Sequence, residues 1–210
     1  MPAQAPGRRS VLRTVAALAL AIIGVAPLAA LAPEPDPVPR RWQLDLTEGP
    51  LRVILVNLPD GPRPFLYMTY MVVNNSGQDV MFAPSFELAT AEHELLRSGR
   101  DVPLEATRQI IESLQNPLVE DQVAIIGTLL QGKENAKEGV VIWPVTDLDT
   151  PELTVYAAGF SGETATVTPP GAKEKYVLRK TLMIRHQVPG TLAGHGSAPL
   201  RVLERRWIMR

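Results

Sequence analysis

From residue 42 onward, the chain is a series of short apolar runs broken by turn residues. Residues 42–46 alternate and end at Glu48-Gly49-Pro50, and residues 51–58 end at Pro59-Asp60-Gly61-Pro62. Residues 65–73 carry Leu66, Met68, Tyr70 and Val72 on one face, with Tyr67, Thr69, Met71 and Val73 on the other. A strand apolar on both faces belongs inside a sheet covered, at least in part, on both sides. Asn74-Asn75-Ser76-Gly77 then supplies a turn. Further strands are predicted over 80–82, 86–90, 94–97, 140–145, 153–158, 164–167, 176–187 and 200–209. Eight to ten strands at short intervals predict a mainly β fold, a β-sandwich.

One stretch breaks this rhythm. Asp101-Val102-Pro103 reads as a helix start, with Asp101 as the capping residue and proline in the first turn. Leu104, Thr107, Ile111 and Leu114 follow at helical spacing with Ile110 beside them, and Asn116-Pro117 stops the run. Val119, Val123, Ile126 and Leu130 suggest a second short helix. Residues 102–130 are therefore expected to be a helical insertion lying against the sandwich.

The N-terminus follows other rules. Arg8, Arg9 and Arg13 precede 18 uncharged residues, 15–32, the pattern of an export signal. Arg8-Arg9 followed by Ser10, Val11 and Leu12 resembles a twin-arginine signal, although paired arginines also occur in general secretory signals. Ala30-Leu31-Ala32 offers a small-residue cleavage pattern, but Pro33 follows it, and Pro27 follows the small pair Gly24 and Ala26. Eighteen apolar residues also reach the lower limit for a membrane-spanning helix. Residues 1–32 are thus a signal peptide or an N-terminal membrane anchor, giving an extracytoplasmic domain with possible membrane attachment through 15–32. Prolines 33, 35, 37 and 39 make 33–41 an extended spacer of about 3.1 Å per residue, and the sandwich domain spans 42–210.

Composition narrows the function. Cysteine is absent, which excludes disulfides, thiolate zinc sites, a cysteine nucleophile and a lipoprotein cysteine. Three of the 21 basic residues and none of the 22 acidic ones lie in 1–32, so the remainder carries a net charge of about −4. Such a domain lacks the electrostatic footprint of a nucleic-acid binder.

The run from Met68 to Gly77 resembles the strand and Asn-rich turn of bacterial exported immunoglobulin-like domains of unknown function. Phe86-Glu87-Leu88 with a hairpin to Leu95-Leu96, the spaced Gly132 and Gly139 before Val140-Val141-Ile142-Trp143-Pro144, and Leu153-Thr154-Val155-Tyr156 extend the likeness over about 65–160. The helical insertion and the long C-terminal strands depart from it. The resemblance implies an immunoglobulin-like sandwich outside the membrane, serving binding or envelope architecture, and carries over no catalytic residue.

Candidate chemistry is sparse. His93, His186 and His195 show no metal spacing, and Asp147, Asp149 and Glu152 lack the pattern of a calcium loop. Ser98, Ser161 and Ser197 sit beside glycines without a nucleophile elbow. Residues 127–133 match seven positions of a phosphate-cradling P-loop, but Glu134 stands where a Ser or Thr should bind Mg²⁺. Arg201, Arg205, Arg206 and Arg210 alternate with apolar residues, as in an edge strand guarded by charge or a surface meeting an anionic lipid or polymer. The expectation is no catalytic, cofactor-binding or metal residue, and a binding or structural module of the cell envelope with a protein or envelope partner. An exported hydrolase with dispersed carboxylates and a small-ligand or ion carrier are the alternatives.

Overall fold

The computed structural model describes residues 33–92, 94–145, 149–192 and 196–210. The expected signal or anchor over 1–32 lies outside them. Among the described residues no helix is long and apolar enough to cross a membrane.

The described chain is mainly β. Its strands are β1 (Asp45–Glu48), β2 (Arg52–Leu58), β3 (Gly61–Asn74), β4 (Val80–Phe82), β5 (Ser85–Thr90) and β6 (Leu95–Arg97). After the helix α1 (Leu104–Leu114) come β7 (Val119–Glu120), β8 (Gly127–Leu129), β9 (Gly132–Pro144), β10 (Glu152–Ala158), β11 (Thr164–Val167), β12 (Tyr176–Gln187) and β13 (Arg201–Met209). The first sheet runs β1-β3-β9-β7, with β2 also on β3; the second runs β11-β12-β10-β5-β6, with β13 also on β12. Every pairing is antiparallel except the short β7–β9 contact. Strands β4 and β8 form a separate two-stranded ribbon.

The sheets share one apolar core. Leu66, Met68, Tyr70, Val141 and Trp143 from the first meet Phe86, Leu88, Val155, Leu182 and Ile184 from the second. Tyr70, Phe86, Phe82 and Phe160 form its aromatic centre, with ring centroids 4.8 to 6.0 Å apart in tilted and edge-on geometries that aromatic quadrupoles favour. Chain before β1 belongs to both sheets. The Leu44 amide donates to Phe160 and the Gly162 amide to Trp42, after which β1 pairs with β3.

A second core lies on the other side of the first sheet. Val56, Leu58, Phe65, Val140 and Ile142 pack there against Ala106 and Ile110 of α1. The double-sided apolar pattern of β3 thus has its physical cause: one face meets the other sheet, and part of the other meets a helix. Burying a side chain such as Ile110 contributes about 1.5–3 kcal/mol.

The helical insertion is shorter than 102–130. Only α1 is helical, and Pro103 occupies its N-cap with no side-chain cap, while Asp101 sits at φ 60°. Gln115, also left-handed, closes it before Pro117. The expected second helix is a β7–turn–β8 segment. Val119, Val123, Ile126 and Leu130 do not share a face: Val119 is buried under α1 whereas the other three are exposed. Ile125 and Leu129 enter the main core instead. The Asp121 carboxylate accepts from the Val123 and Ala124 amides at 2.7 and 2.9 Å, fixing a turn in place of a helix.

The proline-rich spacer is tied to the domain. The Asp36 amide donates to Glu163 at 2.7 Å, and the Lys180 ammonium donates to the Asp36 carbonyl at 3.2 Å. The stalk therefore joins the sandwich at Asp36 instead of standing clear of it to residue 41.

Gly139 sets the approach of β9 to β3. A Cβ there would lie 2.5 Å from Tyr70 Cζ and 2.7 Å from Ile125 Cδ1. The Tyr70 ring is held by Phe86 and Phe160, so it cannot swing away freely. Gly139→Ala is expected to destabilise the fold by about 1–3 kcal/mol through overpacking, read as a lower urea midpoint at unchanged slope.

Candidate functional site

A concavity with an apolar rim lies beside the N-terminal end of α1. Residues 98–101 turn the chain from β6 toward the helix, and the Gly99 amide donates to the Ile142 carbonyl at 2.7 Å. This bond pins the turn to the edge of β9. Gly99 has φ +71°, a backbone conformation that favours glycine, and the end of the Gln122 side chain packs over it. The Asp121 turn brings Gln122 and Val123 up on the other side.

The hollow between has a volume of about 290 Å³. Val102, Thr107, Val140 and Ile142 line it, while Leu104 and Val123 stand on its rim, 82% and 70% exposed. A second hollow of about 200 Å³ shares Gln122 and Val123 and reaches Pro84, Phe86, Arg97 and Ser98. Ile126, half exposed, follows Val123 around the turn, its amide donating to the Val123 carbonyl. The result is two open hollows straddled by an exposed valine.

Sequence reasoning placed Leu104 on the buried helix face. It lies two residues before Ala106, and at 3.6 residues per turn that is the opposite side. The spacing of Ala106, Ile110 and Leu114 carried this signal. Val123 was expected on a helix and sits on a turn because Asp121 caps the amides ahead of it.

The other candidates are scattered. His93, His195 and Asp147 lie outside the described residues. Asp149 and Glu152 flank the start of β10, and Glu152 lies 3.9 Å from Arg185. Among the described residues no group of three or more His, Asp or Glu side chains could hold a metal. Ser98 lines the second hollow, and the Ser161 hydroxyl accepts from the Glu163 amide. The P-loop-like run is strand, turn and strand, with Gly127 in β8 and Gly132 opening β9. The C-terminal arginines divide between faces. Arg205 reaches across to Glu48 on β1, Arg206 pairs with Glu204, and Arg210 pairs with Glu87. Strand β13 pairs only with β12 and is an edge.

Two buried ionisable groups stand out. His186, 1% exposed, has no hydrogen-bond partner at Nδ1 among the described residues. Burial pushes its pKa from 6.5 down to about 4, against weaker opposing pulls from the Ile184 carbonyl, the Glu48 charge and the Leu153 carbonyl. The imidazole is therefore neutral near pH 7. Lys180 and Glu163 form the other site, an ion pair at 2.9 Å with side chains 4% and 12% exposed. Burial drives the Glu163 carboxyl upward, but the hydrogen bonds from Lys180 and the Asp36 amide, with the charges of Lys180 and Arg40, outweigh it and hold it below its ordinary range. Lys180 also lies 5.8 Å from the Trp207 ring centroid.

No protein-family model matches the chain, and neither a curated protein nor a solved structure does.

Two outcomes follow from the buried groups. The unfolded chain protonates His186 near pH 6.5 and the fold resists until about 4, so stability falls as pH drops through that window. The loss is about 3 kcal/mol, and urea midpoints of His186→Gln at pH 7.5 and 4.5 should show a smaller drop than the parent. Lys180→Met removes the ion-pair partner of the largely buried Glu163 and leaves it only the Asp36 amide as a hydrogen-bond donor, at a cost of about 3 kcal/mol. Lys180→Met with Glu163→Gln should recover more than half of that loss in the same assay, since the amide still accepts from Asp36.

Proposed function

We propose that the chain is an extracytoplasmic, immunoglobulin-like binding module of the cell envelope that seats a protein partner on the paired hollows beside α1. The observation that carries this reading is the exposed pair Leu104 and Val123 on the rim of an apolar hollow. A hollow of about 290 Å³ is at the bottom of the range for small-molecule pockets, about 300–1,000 Å³. It suits one apolar anchor side chain of a larger partner, with the second hollow taking a neighbouring contact. Export is supported by the basic and apolar pattern of residues 1–32 and by the absence of cysteine, which leaves the fold indifferent to redox conditions. The immunoglobulin-like reading is supported by two open, mainly antiparallel sheets and by a chain that passes from one to the other before β1.

A hydrolase has less support. Of the buried polar side chains, Lys180 is already neutralised by Glu163 and His186 has no carboxylate within hydrogen-bonding distance among the described residues, so no acid/base pair is assembled. A small-ligand carrier would need an enclosed chamber, and both hollows are open clefts.

The test is in vivo. A photo-crosslinking residue at position 123 should capture one recurrent protein from intact envelopes, and the same residue at Thr164 should not. Leu104→Asp with Val123→Asp should weaken that complex at least about 30-fold, the loss of a hot spot of about 2 kcal/mol. Equal capture from both positions, or unchanged affinity of the double variant, overturns the reading.

A further inference from the structure

The outer face of the second sheet, on the far side of the sandwich from α1, carries an arrangement that stability alone disfavours. Arg179, just before the buried part of β12, and Arg210, just after β13, are directly opposite each other. Each amide donates to the other's carbonyl, at 2.7 and 3.0 Å. In such a hydrogen-bonded pair the Cα atoms lie about 5.5 Å apart with both side chains on one face. Like charges so placed repel, and nothing in the packing calls for an arginine at position 179, which is exposed.

Their surroundings form a hollow. Both arginines line a hollow of about 380 Å³ together with Ser85, Glu87, Tyr156 and Thr181. Arg210 is held in place: its guanidinium donates to Glu87 and its centre lies 4.1 Å from the Tyr156 ring centroid. Glu87 is shared, because Arg97 approaches its other oxygen at 3.6 Å. Its charge is thus divided between two guanidiniums. Arg185 and Arg206 on the same sheet also meet carboxylates, Glu152 and Glu204. Arg179 meets none among the described residues. Ser85 and Tyr156 line the same space, and the buried Thr181 beside them donates its hydroxyl proton to the Arg179 carbonyl at 3.0 Å.

We propose that this hollow binds a phosphoryl group, with Arg179 as the mobile clamp, Arg210 as the fixed one and the Ser85 and Tyr156 hydroxyls as neutral donors. A tetrahedral dianion can take a forked pair of N–H donors from each guanidinium and cancel their repulsion, whereas a second Lys or Arg-free surface would offer no such geometry. The remaining negative charge of Glu87 is directed to Arg210 and Arg97, so it orients the site without closing it to anions. The phosphoryl group belongs either to a free small molecule or to a lipid headgroup, the two sources having the same recognition chemistry.

Calorimetric titration of the full-length protein with pyrophosphate at low salt should give saturable one-site binding. Arg179→Gln should weaken it at least 10-fold, and Arg201→Gln, which changes net charge equally but lies outside the hollow, should leave it unchanged. If the source is a lipid, vesicles containing phosphatidic acid should retain more protein than phosphatidylcholine vesicles, and Arg179→Gln should remove that difference. Arg179→Gln should also raise the Tm of the ligand-free protein, because it removes a like-charge pair; a residue placed there for stability would lower it. No saturable binding of pyrophosphate and no preference for phosphatidic acid overturns the proposal. Equal loss in Arg179→Gln and Arg201→Gln overturns it as well, since that reads net charge only.

Discussion

The long strand β3 is apolar on both faces, and the rest of the molecule is arranged to keep both from water. Its inward face, through Leu66, Met68 and Tyr70, is satisfied by the second sheet. Part of its outward face is covered by α1, through Ala106 and Ile110 over Phe65, with Val119 beside them. Fourteen residues of strand extend about 47 Å, and eleven residues of helix about 16 Å. The lid is far shorter than what it covers. Phe65 is sealed, whereas Met71 further along is 38% exposed. The hollow beside α1 lies at the covered end, where the first turn of the helix and the turn carrying Val123 meet over Val140 and Ile142 of β9.

Sequence patterns revealed strands far better than they revealed helix. Strands β4, β11 and β12 coincide with the runs expected for them, and β3 was recognisable as a central strand from its double apolar character. These signals are local, because alternation and turn residues act over a few positions. The second helix failed for a physical reason. Four apolar residues at helical spacing looked like one face, but Asp121 holds two successive amides and turns the segment, so Ile125 and Leu129 became the buried pair. A side chain accepting from backbone amides competes with the helix for the same donors. The start of α1 was displaced similarly, with Pro103 taking the place expected for Asp101.

The sites were less legible because they are made by register. Arg179 and Arg210 are 31 positions apart and unremarkable until β12 and β13 align them. Arg205, one position from Arg206, faces the opposite way and bridges to Glu48 on the other sheet. A row of arginines in the sequence thus becomes two features with different consequences, since a strand alternates its faces at every residue. His186 lay in an alternating run that looked half-buried, yet it proved one of the most enclosed polar residues. Alternation in the run gave no indication that this position would be enclosed.

The passage of chain from Asp36 to Glu48 has a mechanical consequence. Tension applied from the N-terminal side reaches first the buried ionic clasp at Lys180 and Glu163, then the bonds of residues 42–44 to the second sheet, and then β1 in the first. The load is divided between both halves of the sandwich before either edge is peeled. A domain pulled by its N-terminal end would therefore yield first at the clasp, and would lose its fold only after the attachments of residues 42–48 to both sheets had also given way.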